Sequence, residues 1–139
     1  MERGVREFMR RFEEEAGLIF ADATQRTANS VARLAPIAEG EYLADWDIGV
    51  NAEPPETNPP GDPKRSQTRA RFKGALGRLK FGDRAIFNND DPVANRLEFG
   101  YSKQAPQGVV RLTTRQWNRF IKGAARAAQN RFKKNEVID

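Results

Sequence analysis

The sequence contains no cysteine and no histidine. The first absence excludes disulfides and thiolate metal sites. The second removes the commonest general base and the commonest metal ligand. A catalyst built from this chain would depend on carboxylates, Lys, Ser, Thr or Tyr alone. Long apolar runs are also missing: nothing approaches the roughly 18 consecutive apolar residues of a membrane span. Met1-Glu2-Arg3-Gly4 leads straight into charged amphipathic sequence without a signal-peptide core. A soluble protein made in a cytoplasm is therefore expected. Its 139 residues suit one domain with a real core.

Each half of the chain is poor in charge of one sign. Up to Pro63 there are 6 Lys and Arg against 13 Asp and Glu, a net of −7. From Lys64 onward there are 18 against 6, a net of +12, which leaves +5 overall. Such polarity can draw one end of a subunit to the opposite end of a neighbour, turn a basic face to nucleic acid, or simply solvate helix faces.

Val5, Phe8, Met9, Phe12, Ala16, Ile19, Phe20, Ala23, Val31 and Leu34 recur at three- and four-residue steps. This spacing predicts an amphipathic helix from about residue 3 to about residue 34, stopped by Pro36. After a turn at 35–40, Trp46, Ile48 and Val50 alternate with Asp47 and Gly49, as a half-buried strand does. Pro54, Pro55, Pro59, Pro60 and Pro63 make 52–65 a loop. Ser66 is placed to cap a helix over Gln67 to Leu79, and Arg84 to Asn88 reads as a short strand. Pro92 opens a short helix, Val93 to Phe99, that Gly100 ends. A loop then leads to a brief extended piece at Val109 to Leu112. Thr113 or Thr114 is expected to cap a last helix with Trp117, Phe120, Ile121, Ala124, Ala128 and Phe132 on its apolar face. The pattern is α+β: a small, mainly antiparallel sheet packed by long N- and C-terminal helices.

Constellations that carry chemistry are scarce. Asp45 and Asp47 flank Trp46 and could bind a cation or do acid/base work, but one charged face is ordinary for an edge strand. Asn88-Asn89-Asp90-Asp91 offers oxygen ligands without the spacing or closing Glu of a calcium loop, and it is ordinary turn chemistry. Gly74 and Gly77 form no phosphate-binding fingerprint, and no nucleophile elbow occurs. No enzymatic activity, cofactor or metal is expected. Arg69, Arg71, Lys73, Arg119, Lys122 and Arg126 are candidates to face DNA, by charge alone. Trp117 and Phe120 belong to the apolar stripe of the last helix.

Two blocks carry a resemblance. Residues Phe87-Asn88-Asn89-Asp90-Asp91-Pro92-Val93-Ala94-Asn95-Arg96-Leu97-Glu98-Phe99-Gly100-Tyr101-Ser102-Lys103-Gln104-Ala105-Pro106-Gln107-Gly108-Val109-Val110-Arg111-Leu112 resemble the N-N-x-x-P-Y-A-x-x-L-E-Y-G-x-S-x-Q-A-P-x-G signature of the tail-completion or neck proteins of long-tailed bacteriophages. Upstream, Ala35-Pro36-Ile37-Ala38-Glu39-Gly40-Glu41-Tyr42-Leu43-Ala44-Asp45-Trp46 is similar to the family's P-V-x-T-G-x-L-x-x-N-W block. The order is the family's, with a variable middle and a helix at each end. Val93 stands where an aromatic is usual, Glu39 where Thr is common and Asp45 where Asn is common.

The resemblance implies a non-enzymatic virion protein at the head–tail junction, a homo-oligomeric ring of about six or twelve copies. Its partners would be adjacent neck and tail proteins and the genomic double-stranded DNA in the channel. Arg96, Glu98, Tyr101, Lys103 and Gln104 are the expected subunit or neighbour-ring contacts, since aromatic and Arg side chains favour interface centres. A tail-tube terminator and a small basic DNA-binding module stand as alternatives. A hydrolase working through Asp45 or Asp47 is the remaining one.

Overall fold

The computed structural model describes residues 2–138, and the side chains of Phe132 and of residues 135–138 lie outside that description. The helical periodicity at the N-terminus becomes α1, Glu2–Leu34, roughly 50 Å long at 1.5 Å per residue. Ion pairs one turn apart, Arg10–Glu14 at 2.9 Å and Arg11–Glu7 at 3.1 Å, dress its polar face. Residues 2–15 are exposed throughout, and the roughly 15 Å of helix before Phe12, which meets Phe81, projects from the body. The second half is buried through small side chains, Ala23, Ala28 and Ala32, together with Val31.

A short α2, Glu41–Ala44, precedes β1, Trp46–Val50. Residues 53–62 have no regular structure, as their four prolines dictate. Then come α3, Ser66–Leu76, and β2, Ala85–Asn89. Two short helices follow, α4, Ala94–Glu98, and α5, Val110–Arg115, and α6, Trp117–Ile138, closes the chain. β1 and β2 pair antiparallel, Trp46 opposite Asn89 and Val50 opposite Ala85, and they make the one sheet among the described residues. The α+β architecture is the one expected, with the two long terminal helices in contact. Ser30 meets Thr113 at 3.0 Å, and Gly123 faces Arg26, so α6 runs back along α1 in the opposite direction. Ala124 and Ala128 are the buried residues of that contact, small enough for the helices to approach closely.

The core lies where α1, α3, the sheet and the 101–109 loop converge on Leu43, Phe72 and Val109, all almost fully buried. Tyr42 and Trp46 meet edge to face at 6.2 Å, and Phe72 and Phe87 do so at 6.5 Å, a preferred aromatic geometry.

Four local expectations are corrected. Val109 to Leu112 is not a strand: Val110–Arg115 is helical, so Thr113 and Thr114 lie inside α5 and do not cap α6. Ser66 is no cap either. Arg65 takes that position at φ 64, and the backbone N–H of Thr68 donates instead to Oδ2 of Asp62 at 2.7 Å. α3 ends at Leu76 rather than Leu79. Pro92 precedes the helix it was expected to open. Arg65, in turn, donates from Nη1 to the carbonyls of Ala32 and Ala35, at 2.6 and 2.9 Å. It thereby satisfies acceptors that the end of α1 leaves open.

Candidate functional site: an aromatic loop and a cationic groove

The two sequence blocks, residues 35–46 and 87–112, fold against each other. Gln104 holds the backbone of Ile37 at both groups: its Nε2 donates to the carbonyl and its Oε1 accepts the N–H, each at 2.8 Å. Asn89 donates from Nδ2 to the carbonyl of Tyr42 at 2.8 Å. Between the blocks lies a cleft of about 550 Å³ whose lining includes Glu39, Glu41, Asp91, Tyr101 and Lys103. Burial pushes the Tyr42 phenol up to about 12.

Glu98 is the anchor of this region. Its carboxylate accepts the backbone N–H groups of Val109, Val110 and Arg111, each at 2.8 Å, and the Arg111 guanidinium at 3.3 Å. Three otherwise open donors at the start of α5 are satisfied at once. Burial pushes the Glu98 carboxyl up, and the backbone donors with Arg111 more than offset it, so its pKa lies below the ordinary glutamate range.

Of the residues expected at a subunit contact, Glu98 and Gln104 are therefore engaged within the chain. Arg96, Tyr101 and Lys103 are exposed. The Arg96 guanidinium lies 5.5 Å from the centre of the Tyr101 ring, and Arg111 lies 5.3 Å from that of Phe99. Tyr101 is 73% and Phe99 66% exposed, with Val93 also on the surface. Phe99 turns outward, whereas Leu97 packs against the core.

A second apolar surface lies on the projecting part of α1. Val5, Phe8, Met9 and Phe12 are all at least 46% exposed. Phe12 extends this ridge to Phe81, ring to ring at 5.9 Å.

The expected DNA-facing residues divide. Arg69, Arg119, Lys122 and Arg126 come together with Arg33 and Arg115 around a groove of about 1160 Å³ between α1, α3 and α6. Arg26 also lines it, paired with Asp22 at 3.0 Å. No carboxylate lines this groove among the described residues. Arg71 is corrected: it lies outside the groove, pairs with Asp47 at 2.9 Å and donates to the Ala44 carbonyl at 2.6 Å, tying α3 to β1. Lys73 is exposed on α3 and does not line the groove. Arg33 and Arg115 were not singled out in the sequence. Arg33 stands two turns after Arg26, and Arg115 one turn before Arg119, so helical spacing could have found both.

Asp45 is the C-terminal cap of α2 rather than a strand residue. Burial and then the neighbouring Asp91, Asp47, Asp90 and Glu41 raise its pKa. Asp47 is occupied by Arg71 and by the Thr57 hydroxyl at 2.7 Å. No group of three or more carboxylates is arranged to hold a metal among the described residues. No described helix is long and apolar enough to cross a membrane.

Comparison with known proteins gives no match: no family model, no curated protein and no solved structure is similar to this chain.

Proposed function

We propose that this chain is a non-enzymatic subunit of a ring at the head–tail junction of a long-tailed bacteriophage. The phage assignment rests on the resemblance carried by residues 35–46 and 87–112. Support for ring assembly comes from one observation: the subunit presents two separate apolar surfaces. Phe99, Tyr101 and Val93 form one, held firmly by Glu98 and Gln104. Val5, Phe8, Met9 and Phe12 form the other. Two different patches that meet head to tail generate a closed ring when the rotation closes. Aromatic rings with Arg stacked on them are also the side chains that dominate interface energetics.

Both rings project from the surface, so Phe99→Ser with Tyr101→Ser is expected to leave the fold intact. Losing two anchors of about 2 kcal/mol each weakens each contact by about a hundredfold or more. Phage carrying both substitutions should accumulate filled heads and separate tails, with infectious yield down by at least about a hundredfold. Wild-type yield from that double variant would sink the proposed interface.

A further inference from the structure

We infer that the groove between α1, α3 and α6 binds the phosphate backbone of double-stranded nucleic acid. This inference does not rest on ring assembly, because one chain supplies the whole groove. Arg119, Lys122 and Arg126 follow one another on α6 at steps of three and four residues, which places them on one helical stripe, and Arg115 ends α5 just before it. Arg33 and Arg69 face that stripe from α1 and α3. With no carboxylate in the lining among the described residues, these six cations repel one another in the free protein, and a polyanion relieves that repulsion.

Charge, geometry and the scarcity of rings together select the ligand. The stripe from Arg119 to Arg126 is roughly 10 Å long, and a duplex carries one charge per about 1.7 Å of its axis. About six phosphate charges therefore pass along it. Guanidinium forks match phosphate oxygens two at a time. Single strands are held by stacking bases on aromatic faces. Among the described residues the groove offers one aromatic, Phe120, and that ring is half-buried. Contacts to phosphate carry no sequence information, so binding is independent of sequence.

The test is fluorescence anisotropy with a labelled duplex of about 20 base pairs and a single strand of equal length, across a salt series. The triple variant Arg119→Ala, Lys122→Ala, Arg126→Ala is compared with Lys73→Ala, Arg78→Ala, Arg84→Ala, which removes the same charge from exposed positions outside the groove. The expected results are preference for duplex, a loss of about tenfold or more in the groove variant, and a salt slope shallower by about 2.7. The control should lose no more than about threefold. Equal losses in the two variants would reduce the groove to net charge and overturn the site. Absence of duplex binding at low salt would overturn it as well, as would tighter binding of the single strand. If the groove variant keeps its DNA affinity but no longer self-associates, the groove serves an acidic segment of a second copy and the inference is wrong.

Discussion

Gly40→Ala is expected to lower the melting temperature by about 10 °C, the result of placing a methyl group where the backbone leaves no space. Gly40 has φ +81, a conformation that costs an L residue about 1–2 kcal/mol. A Cβ there would stand 2.4 Å from the carbonyl carbon of Asp62 and 2.5 Å from the nitrogen of Pro63. Both obstacles are backbone and cannot swing aside. Moving them carries a further cost of about 1–3 kcal/mol, as overpacking does.

The consequence reaches beyond one turn. The Asp62 N–H donates to the Gly40 carbonyl at 3.1 Å, and its side chain holds the start of α3. Arg65, three residues on, closes the end of α1. A displaced Asp62 disturbs all three elements together. Gly74→Ala is the natural comparison: nothing lies within 4 Å of a Cβ there, and a helix interior gains about 0.5–1 kcal/mol from Ala. Thermal unfolding followed by circular dichroism should show the two variants shifted in opposite directions. Similar melting of both would contradict this packing of the 35–40 turn on the end of the proline-rich loop.

Glu98→Ala is expected to cost about 3 kcal/mol, because it leaves three N–H groups at the start of α5 without their acceptor and Arg111 without its partner. Glu98→Gln keeps one acceptor oxygen and should fall between wild type and alanine. The lowered pKa adds a pH signature. A carboxylate whose folded pKa is depressed contributes stability above its unfolded value and loses it as pH falls through the folded value. The stability gap between wild type and Glu98→Gln should therefore be constant near neutral pH and narrow below the ordinary glutamate range. Urea unfolding at a series of pH values measures it. A gap that holds steady down to about pH 3 would mean that the charge of Glu98 contributes nothing.

The same residue shows what the sequence could and could not convey. α1 and β1 were legible because each follows its own period: three to four residues over a long stretch, or two over a short one. Val109-Val110 reads as extended from its β-branched side chains, yet α5 begins there. Glu98, eleven residues or more upstream, supplies the acceptor that starts the helix, and no local rule contains that contact. The cap of α3 was missed in the same way, since Asp62 acts across the αL residue Arg65.

The basic residues were visible as a class, and their division was not. Arg69 and Arg71 stand two residues apart on one helix and therefore point to different sides. One reaches the groove and the other is consumed by Asp47. The exposed ridge of α1 is the start of the amphipathic stripe visible in the sequence, and periodicity shows that such a stripe exists but is silent on what covers it.

Assembly at the neck is the central claim, and cryo-electron microscopy of purified virions, focused on the junction between head and tail, tests it most directly. The proposal predicts a ring of density there that accepts this α+β subunit, with Phe99 and Tyr101 at a contact between subunits or with the adjoining ring. A neck accounted for in full by other proteins, with this chain absent from the particle, would contradict it.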